Sequence, residues 1–258
     1  MHMPIITLAA AVSSVAARTV TVKNNCGYTV WPAVHTFEPL QYVSYSEFVR
    51  FSPTLIVEML SQTNQLAGKP IQVTSGASTG TRDDIGIRVA QIVTSAGSGS
   101  CLTGDCEGGL ECVGSYQPPT TVAEWTFGQT GDFYDVSVVD GFNIPMAITN
   151  NMNCPDASCP VDLNQNCPEV LRGPTDSEGQ AVGCNSDCLV DPNPSDSPSC
   201  CTGSHSTPAT CPPSRIPHYS FFKNNCPRAL AFAYDELSGG TLGPCAGKRP
   251  DYTLTFCP

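Results

Sequence analysis

Asp132-Phe133-Tyr134-Asp135-Val136-Ser137-Val138-Val139-Asp140-Gly141-Phe142-Asn143-Ile144-Pro145 has the period of a β-strand and then a stop. Side chains alternate across an extended chain, so Tyr134, Val136 and Val138 fall on one face and Asp135 and Ser137 on the other. One face is therefore core and the other carries a carboxylate. Asp140-Gly141 is a good turn pair and closes the run.

The same pattern extends outward from this stretch. Strands are predicted at Thr19–Lys23, at Tyr28–Trp31 after the turn Asn24–Gly27, and at Thr120–Phe127, Asp132–Val139 and Ala147–Thr149. Others are predicted at His218–Lys223, Ala229–Tyr234 and Tyr252–Phe256. The chain contains 22 Gly and 23 Pro, which favours turns over long helices. Many short strands between turns predict a mainly β, sandwich-like or barrel-like fold. In the last predicted pair, Leu230, Phe232 and Tyr234 should face the core. Ala229, Ala231, Ala233 and Asp235 should line an open face. Ser52-Pro53 predicts a short helix through Leu60, with Ser52 as cap and Pro53 in the first turn. Thr74–Thr81 reads as a Gly/Ser/Thr-rich spacer.

The chain has 258 residues, enough for one or two domains at about 150 residues each. Its net charge is −11, from 12 basic and 23 acidic residues, which argues against a nucleic-acid partner. Fifteen Cys imply disulfides and an oxidising compartment, and an odd count leaves at least one thiol without a partner in the chain. Cys154–Cys211 is rich in Cys, Pro, Ser, Asn and Asp and poor in large apolar residues, so disulfides must hold it together. Residues 1–17 read as a secretory leader, with the apolar run Ile5–Val12 before small residues and Val15-x-Ala17 as cleavage site. No later segment approaches the roughly 18 apolar residues of a membrane span. There is no Asn-x-Ser/Thr sequon. His2, His35, His205 and His218 form no metal spacing, and Asp191-x-Asn193-x-Ser195 lacks the Gly and Glu of a calcium loop. No cofactor is expected.

Gly97-Ser98-Gly99-Ser100-Cys101-Leu102-Thr103-Gly104-Asp105-Cys106-Glu107-Gly108-Gly109-Leu110-Glu111-Cys112 combines glycines for tight turns with Cys spaced to staple them. It resembles the signature of the thaumatin family. So do Thr121–Thr126, Asp132–Pro145, Phe222–Pro227, Ala233–Asp235 and Phe256–Pro258. Cys200–Ser204 and Ala209–Pro212 resemble fungal members in particular. The resemblance implies a flattened antiparallel β-sandwich with a disulfide-rich loop subdomain. Its expected parts are a sandwich core over 18–36, 117–159 and 226–258, a small lobe over 97–116 and a loop subdomain over 160–225. The family's pairing, carried over in order, implies bridges Cys26–Cys257, Cys106–Cys112, Cys154–Cys245, Cys159–Cys226, Cys167–Cys184, Cys188–Cys200 and Cys201–Cys211. Cys101 is left unpaired.

The resemblance also implies a secreted, cell-wall-associated monomer that binds β-1,3-glucan and cleaves it in an acidic cleft. Glu124, Asp135 and Asp140 are then the catalytic carboxylates, with Glu124 as proton donor, and Asp235 binds sugar. Glycoside cleavage uses two carboxyl groups across the scissile bond, one of them protonated. Trp31 and Trp125 are candidates to stack on sugar, although aromatic residues are more often core. Two further readings are a non-catalytic glucan binder and a membrane-perturbing defence protein. The net charge disfavours the latter at anionic membranes.

Residues 37–96 depart from the pattern. The family's cleft Arg and the partner of Cys101 come from a block with no counterpart here, and Arg82 and Arg88 lie in no matching motif. Divergence, a gene-model insertion, or loss of this cleft wall would each explain it. The abrupt edges favour the insertion; if the segment is instead genuine, a sandwich short of strands and of low stability is expected.

Overall fold

A computed structural model describes residues 18–27, 30–36, 43–45, 54–59, 70–76, 102–105, 116–126, 131–238 and 245–258. Ten strands are present in the described chain. They are β1 (Arg18–Asn24), β2 (Trp31–Thr36), β3 (Val43–Tyr45), β4 (Thr54–Met59), β5 (Pro70–Gly76), β6 (Val122–Thr126), β7 (Phe133–Ser137), β8 (Met146–Asn150), β9 (Ala157–Cys159) and β10 (Tyr252–Phe256). They form a six-stranded sheet, β3-β4-β1-β10-β8-β9, and a four-stranded sheet, β2-β5-β6-β7. The expected antiparallel sandwich is present with one exception: β1 and β10 run parallel, with Val20 opposite Tyr252 and Asn24 opposite Phe256.

The core lies where the two sheets meet. Tyr134 and Val136 of β7 and Trp125 of β6 are buried, as are Val20 of β1 and Tyr252, Leu254 and Phe256 of β10. Tyr252 meets Trp125 and Tyr134 edge-on, with ring centroids 6.2 and 4.9 Å apart. That geometry suits the aromatic quadrupoles and joins a strand of one sheet to two of the other. Tyr252 also donates its hydroxyl to the buried Asp132 at 3.0 Å, so its polar end is satisfied inside the core.

Six of the expected disulfides are formed: Cys26–Cys257, Cys154–Cys245, Cys159–Cys226, Cys167–Cys184, Cys188–Cys200 and Cys201–Cys211. Cys101, Cys106 and Cys112 lie outside the described residues. Residues 160–225 consist of turns, short 3₁₀ helices and one helix, α1 (Tyr219–Asn225). Six bridges among the described residues accord with the oxidising compartment expected from composition. No helix among the described residues is long and apolar enough to cross a membrane.

Five sequence expectations are corrected. His218–Lys223 is not a strand; α1 occupies this stretch. A seven-residue helix is not stable alone. It is fixed at its start by Asp187, which accepts from the His218 backbone N–H at 3.0 Å and pairs with His218 Nδ1 at 2.6 Å. At its end, the Cys159–Cys226 bridge holds it.

Ala229–Tyr234 is not a strand either. It makes a single parallel bridge, Ser137 with Leu230, and passes into a 3₁₀ helix over Asp235–Ser238. Side chains take the backbone groups that a ladder would use. Lys223 Nζ donates to the Ala229 carbonyl at 2.8 Å, and the Asp235 carboxylate accepts from the Ala231 N–H at 2.8 Å. Alternation is therefore lost: Ala231 and Phe232 are consecutive and both buried.

The helix predicted from Ser52 to Leu60 is strand β4, which pairs with β1 and β3. The β-branched Thr54, Ile56 and Val57 suit a strand, and partners on both sides outweigh the cap signal of Ser52-Pro53. The supposed spacer from Thr74 overlaps β5, which lies between β2 and β6. Residues 37–96 thus supply three strands, contrary to the expected shortfall.

Candidate functional site

Strands β6 and β7 place the candidate carboxylates. They pair antiparallel, and Glu124 lies directly opposite Asp135 in the register. Cβ atoms at such positions are about 5 Å apart. Tyr134 and Val136 face the core, while Asp135 and Ser137 line a cavity of about 360 Å³, as does Glu124. This follows the alternation read from the sequence. Asp140, just beyond β7, lines the same cavity.

Its position depends on Gly141, whose φ is +81°. A Cβ there would lie 2.5 Å from Pro119 Cβ and 2.8 Å from the Cys184 carbonyl, so only glycine fits. Asp140 accepts a hydrogen bond from the Tyr116 hydroxyl at 2.6 Å. Burial and the adjacent Asp140 charge push the Tyr116 phenol well above its ordinary range, so it stays protonated as the donor.

Leu230, Phe232, Ala233 and Glu236 complete the flank of the cavity. The single β-bridge at Leu230 holds this segment beside β7. The cavity thus collects four carboxylates, from Glu124, Asp135, Asp140 and Glu236, and no Lys, Arg or His among the described residues. Asp132 and Asp235 are fully enclosed, whereas Asp135 is partly buried in the cavity wall. Its Oδ1 has no hydrogen-bond partner among the described residues. Burial, then the charges of Glu124 and Glu236, hold its carboxyl well above the usual carboxylate range.

Asp235 does not line the cavity. It is fully buried behind it, paired with Lys223 Nζ at 2.8 Å and accepting from the Tyr219 hydroxyl at 2.9 Å. The expected exposed carboxylate on a strand face is thus replaced by an internal ion pair. Its neighbour Glu236 takes the place at the cavity, because the 3₁₀ turn points the two side chains differently. Sequence reasoning missed Glu236; the adjacent acid pair Asp235-Glu236 was its only signal. Trp125 is fully buried against Tyr252 and cannot stack on a ligand. The Trp31 side chain, Arg82 and Arg88 lie outside the described residues. Among the described residues, no group of three or more His, Cys, Asp or Glu is placed to hold a metal.

A disulfide-stapled β-sandwich with a carboxylate-lined cavity on the face of its smaller sheet defines the class. The family model of the thaumatin family matches residues 74–258, and the chain belongs to that family. It is 36% identical over 251 residues to a glucan endo-1,3-beta-glucosidase of Prunus avium, an alignment that covers 94% of this chain and 91% of that protein. It is also 36% identical over 242 residues to a pathogenesis-related thaumatin-like protein 3.5 of Cryptomeria japonica, covering 92% and 89% respectively. These are plant proteins, so the expected likeness to fungal members finds no support in them. Among solved structures, a family 64 laminaripentaose-producing beta-1,3-glucanase from Paenibacillus barengoltzii superposes with a TM-score of 0.51 at 12% identity. It covers 94% of this chain and 75% of that one, and at this identity shows the fold alone.

Proposed function

We propose that this chain is a secreted thaumatin-like protein that binds β-1,3-glucan and hydrolyses it at the carboxylate-lined cavity. One observation supports this reading above the others: Asp135 is enclosed beside two further carboxylates and retains its proton at a pH where ordinary Asp is ionised. A glycosidase needs one carboxylic acid to protonate the leaving oxygen and one carboxylate to attack the sugar or activate water. The donor role, expected of Glu124 from the family resemblance, fits Asp135 better because burial and the neighbouring charges of Glu124 and Glu236 hold the Asp135 carboxyl up. Glu124, its cross-strand partner, is then the ionised member of the pair. Asp140, anchored by Tyr116, adds negative charge that favours a positive oxocarbenium-like transition state.

The test is release of reducing sugar from soluble β-1,3-glucan by the purified protein, with Asp135→Asn and Glu124→Gln as controls. Hydrolysis that falls by about 10²-fold or more in each variant supports the reading. No release by the wild-type protein overturns it. A second reading, a non-catalytic glucan binder, draws on the absence of a basic residue among the described cavity residues. It predicts co-sedimentation with insoluble glucan that Glu124→Gln leaves unchanged, without hydrolysis.

A further inference from the structure

The cavity contains an aromatic group that the carboxylate chemistry does not use. Phe133 opens β7, lines the cavity and is 49% exposed. Single exposed apolar residues are common on protein surfaces and need no explanation. Phe133 differs because of its location. It shares a strand face with Asp135 and Ser137, while Tyr134 between them is buried in the core. β7 is also the edge strand of the four-stranded sheet.

We propose that Phe133 is the stacking platform for one pyranose ring of a β-linked glucan, and that it sets which bond reaches Asp135. The proposal rests on the glucan-binding part of the function above and deepens it. A glucose ring with all its hydroxyls equatorial has two flat faces of C–H groups and a polar rim. The electron-rich face of a phenyl ring attracts such C–H groups. An axial hydroxyl would project from one of those faces and separate the rings. Residues two apart on a strand are about 7 Å apart. A ring stacked on Phe133 therefore brings its neighbouring glycosidic oxygen to the level of Asp135, while its hydroxyl rim meets the carboxylates of Glu124 and Glu236. The ligand chemistry implied is a flat, gluco-configured chain, bound by its apolar face at one end of the cavity and its polar edge at the other. Trp125, the other aromatic residue on these two strands with a role suggested by sequence, is fully buried and leaves this task to Phe133.

The test compares the full-length protein with Phe133→Ala and Phe133→Trp, using β-1,3-gluco-oligosaccharides in calorimetric titration and insoluble β-1,3-glucan in co-sedimentation. Phe133→Ala is expected to weaken the oligosaccharide Kd by roughly ten-fold, equivalent to about 1.4 kcal/mol. Phe133→Trp is expected to restore wild-type binding. The manno-configured chain should bind no variant. If hydrolysis is present, Phe133→Ala raises KM and leaves the pH profile in place, which a general structural defect would not do. The melting temperature should be unchanged, since half of the ring is already in solvent. Wild-type affinity in Phe133→Ala overturns the proposal, as does a wild-type protein that binds no glucan. Binding that is lost in Phe133→Ala, in a protein that hydrolyses nothing, overturns the hydrolytic reading alone.

Discussion

Glu124 and Asp135 face each other directly across adjacent antiparallel strands, with Gln72 of β5 on the far side of Glu124. Two carboxylates at such a position repel, and a sheet built for stability alone would not keep them. Burial of Asp135 resolves the conflict by keeping its proton. The arrangement therefore costs stability in the ionised state and provides an acid beside a carboxylate.

That cost is measurable as a pH dependence. The carboxyl of Asp135 is raised in the folded protein from an ordinary value of 3.8. Below 3.8 both folded and unfolded chains hold the proton, and there is no effect. Above it the unfolded chain releases the proton while the folded one retains it, so stability falls as pH rises towards the folded value. Asp135→Asn abolishes this slope. Its melting temperature should equal that of the wild type at pH 3 and exceed it increasingly towards neutrality. Parallel melting curves for the two proteins across this range would contradict the assignment.

Glu236 contributes one of the charges that hold Asp135 up. Glu236→Gln removes it, so the Asp135 carboxyl should titrate at lower pH. The alkaline limb of any pH–rate profile should move down with it. Carboxyl-carbon NMR of Asp135 reads the shift directly and does not depend on activity. An unmoved titration would show that Glu236 is too distant or too well screened to act.

The Lys223–Asp235 pair is internal, with side chains 16% and 0% exposed. Removing one partner leaves a buried charge without its counterion, which typically costs 3–5 kcal/mol. Lys223→Met and Asp235→Asn should therefore lower the denaturant midpoint. Glucan affinity, measured in the folded fraction, should be retained. A stable Asp235→Asn protein that has lost affinity would return Asp235 to the binding surface.

Cys26–Cys257 spans 231 residues of sequence. Releasing a loop of that length adds chain entropy to the unfolded state worth at most about 5 kcal/mol. A double Cys26→Ser, Cys257→Ser variant should lose stability approaching that amount in equilibrium denaturation, and more than a variant lacking Cys201–Cys211, which spans 10 residues.

Among the strands that carry the core, β1, β7 and β10 alternate buried and more exposed positions, and the period of two fixes both their existence and the direction of Asp135; β6 and β8 bury consecutive residues and were legible from their composition. The six observed bridges followed from family resemblance; spacing alone leaves their pairing open. What escaped sequence reading depends on distant partners. Ala229–Tyr234 has the composition of a strand, but Lys223 and Asp235 capture its backbone groups. The burial of Asp235 needs Tyr219 and Lys223, which lie on a helix that the sequence pattern read as a strand. Glu236 reaches the cavity only because a 3₁₀ turn replaces that strand. The raised carboxyl of Asp135 depends on burial and on Glu124 and Glu236 brought beside it by the fold, which alternation cannot read.

The parallel pairing of β1 with β10 has a consequence for the order of folding. β1 is the first described strand to leave the ribosome and β10 the last, yet they are neighbours inside the six-stranded sheet. That sheet cannot close around its central pair until nearly the whole chain has been made. Until then β1 has only β4 beside it, and the Cys26 thiol waits for Cys257. Such long-range closure makes for slow folding. The last strand made is thus the one that closes both the central pair of the sheet and its longest covalent loop.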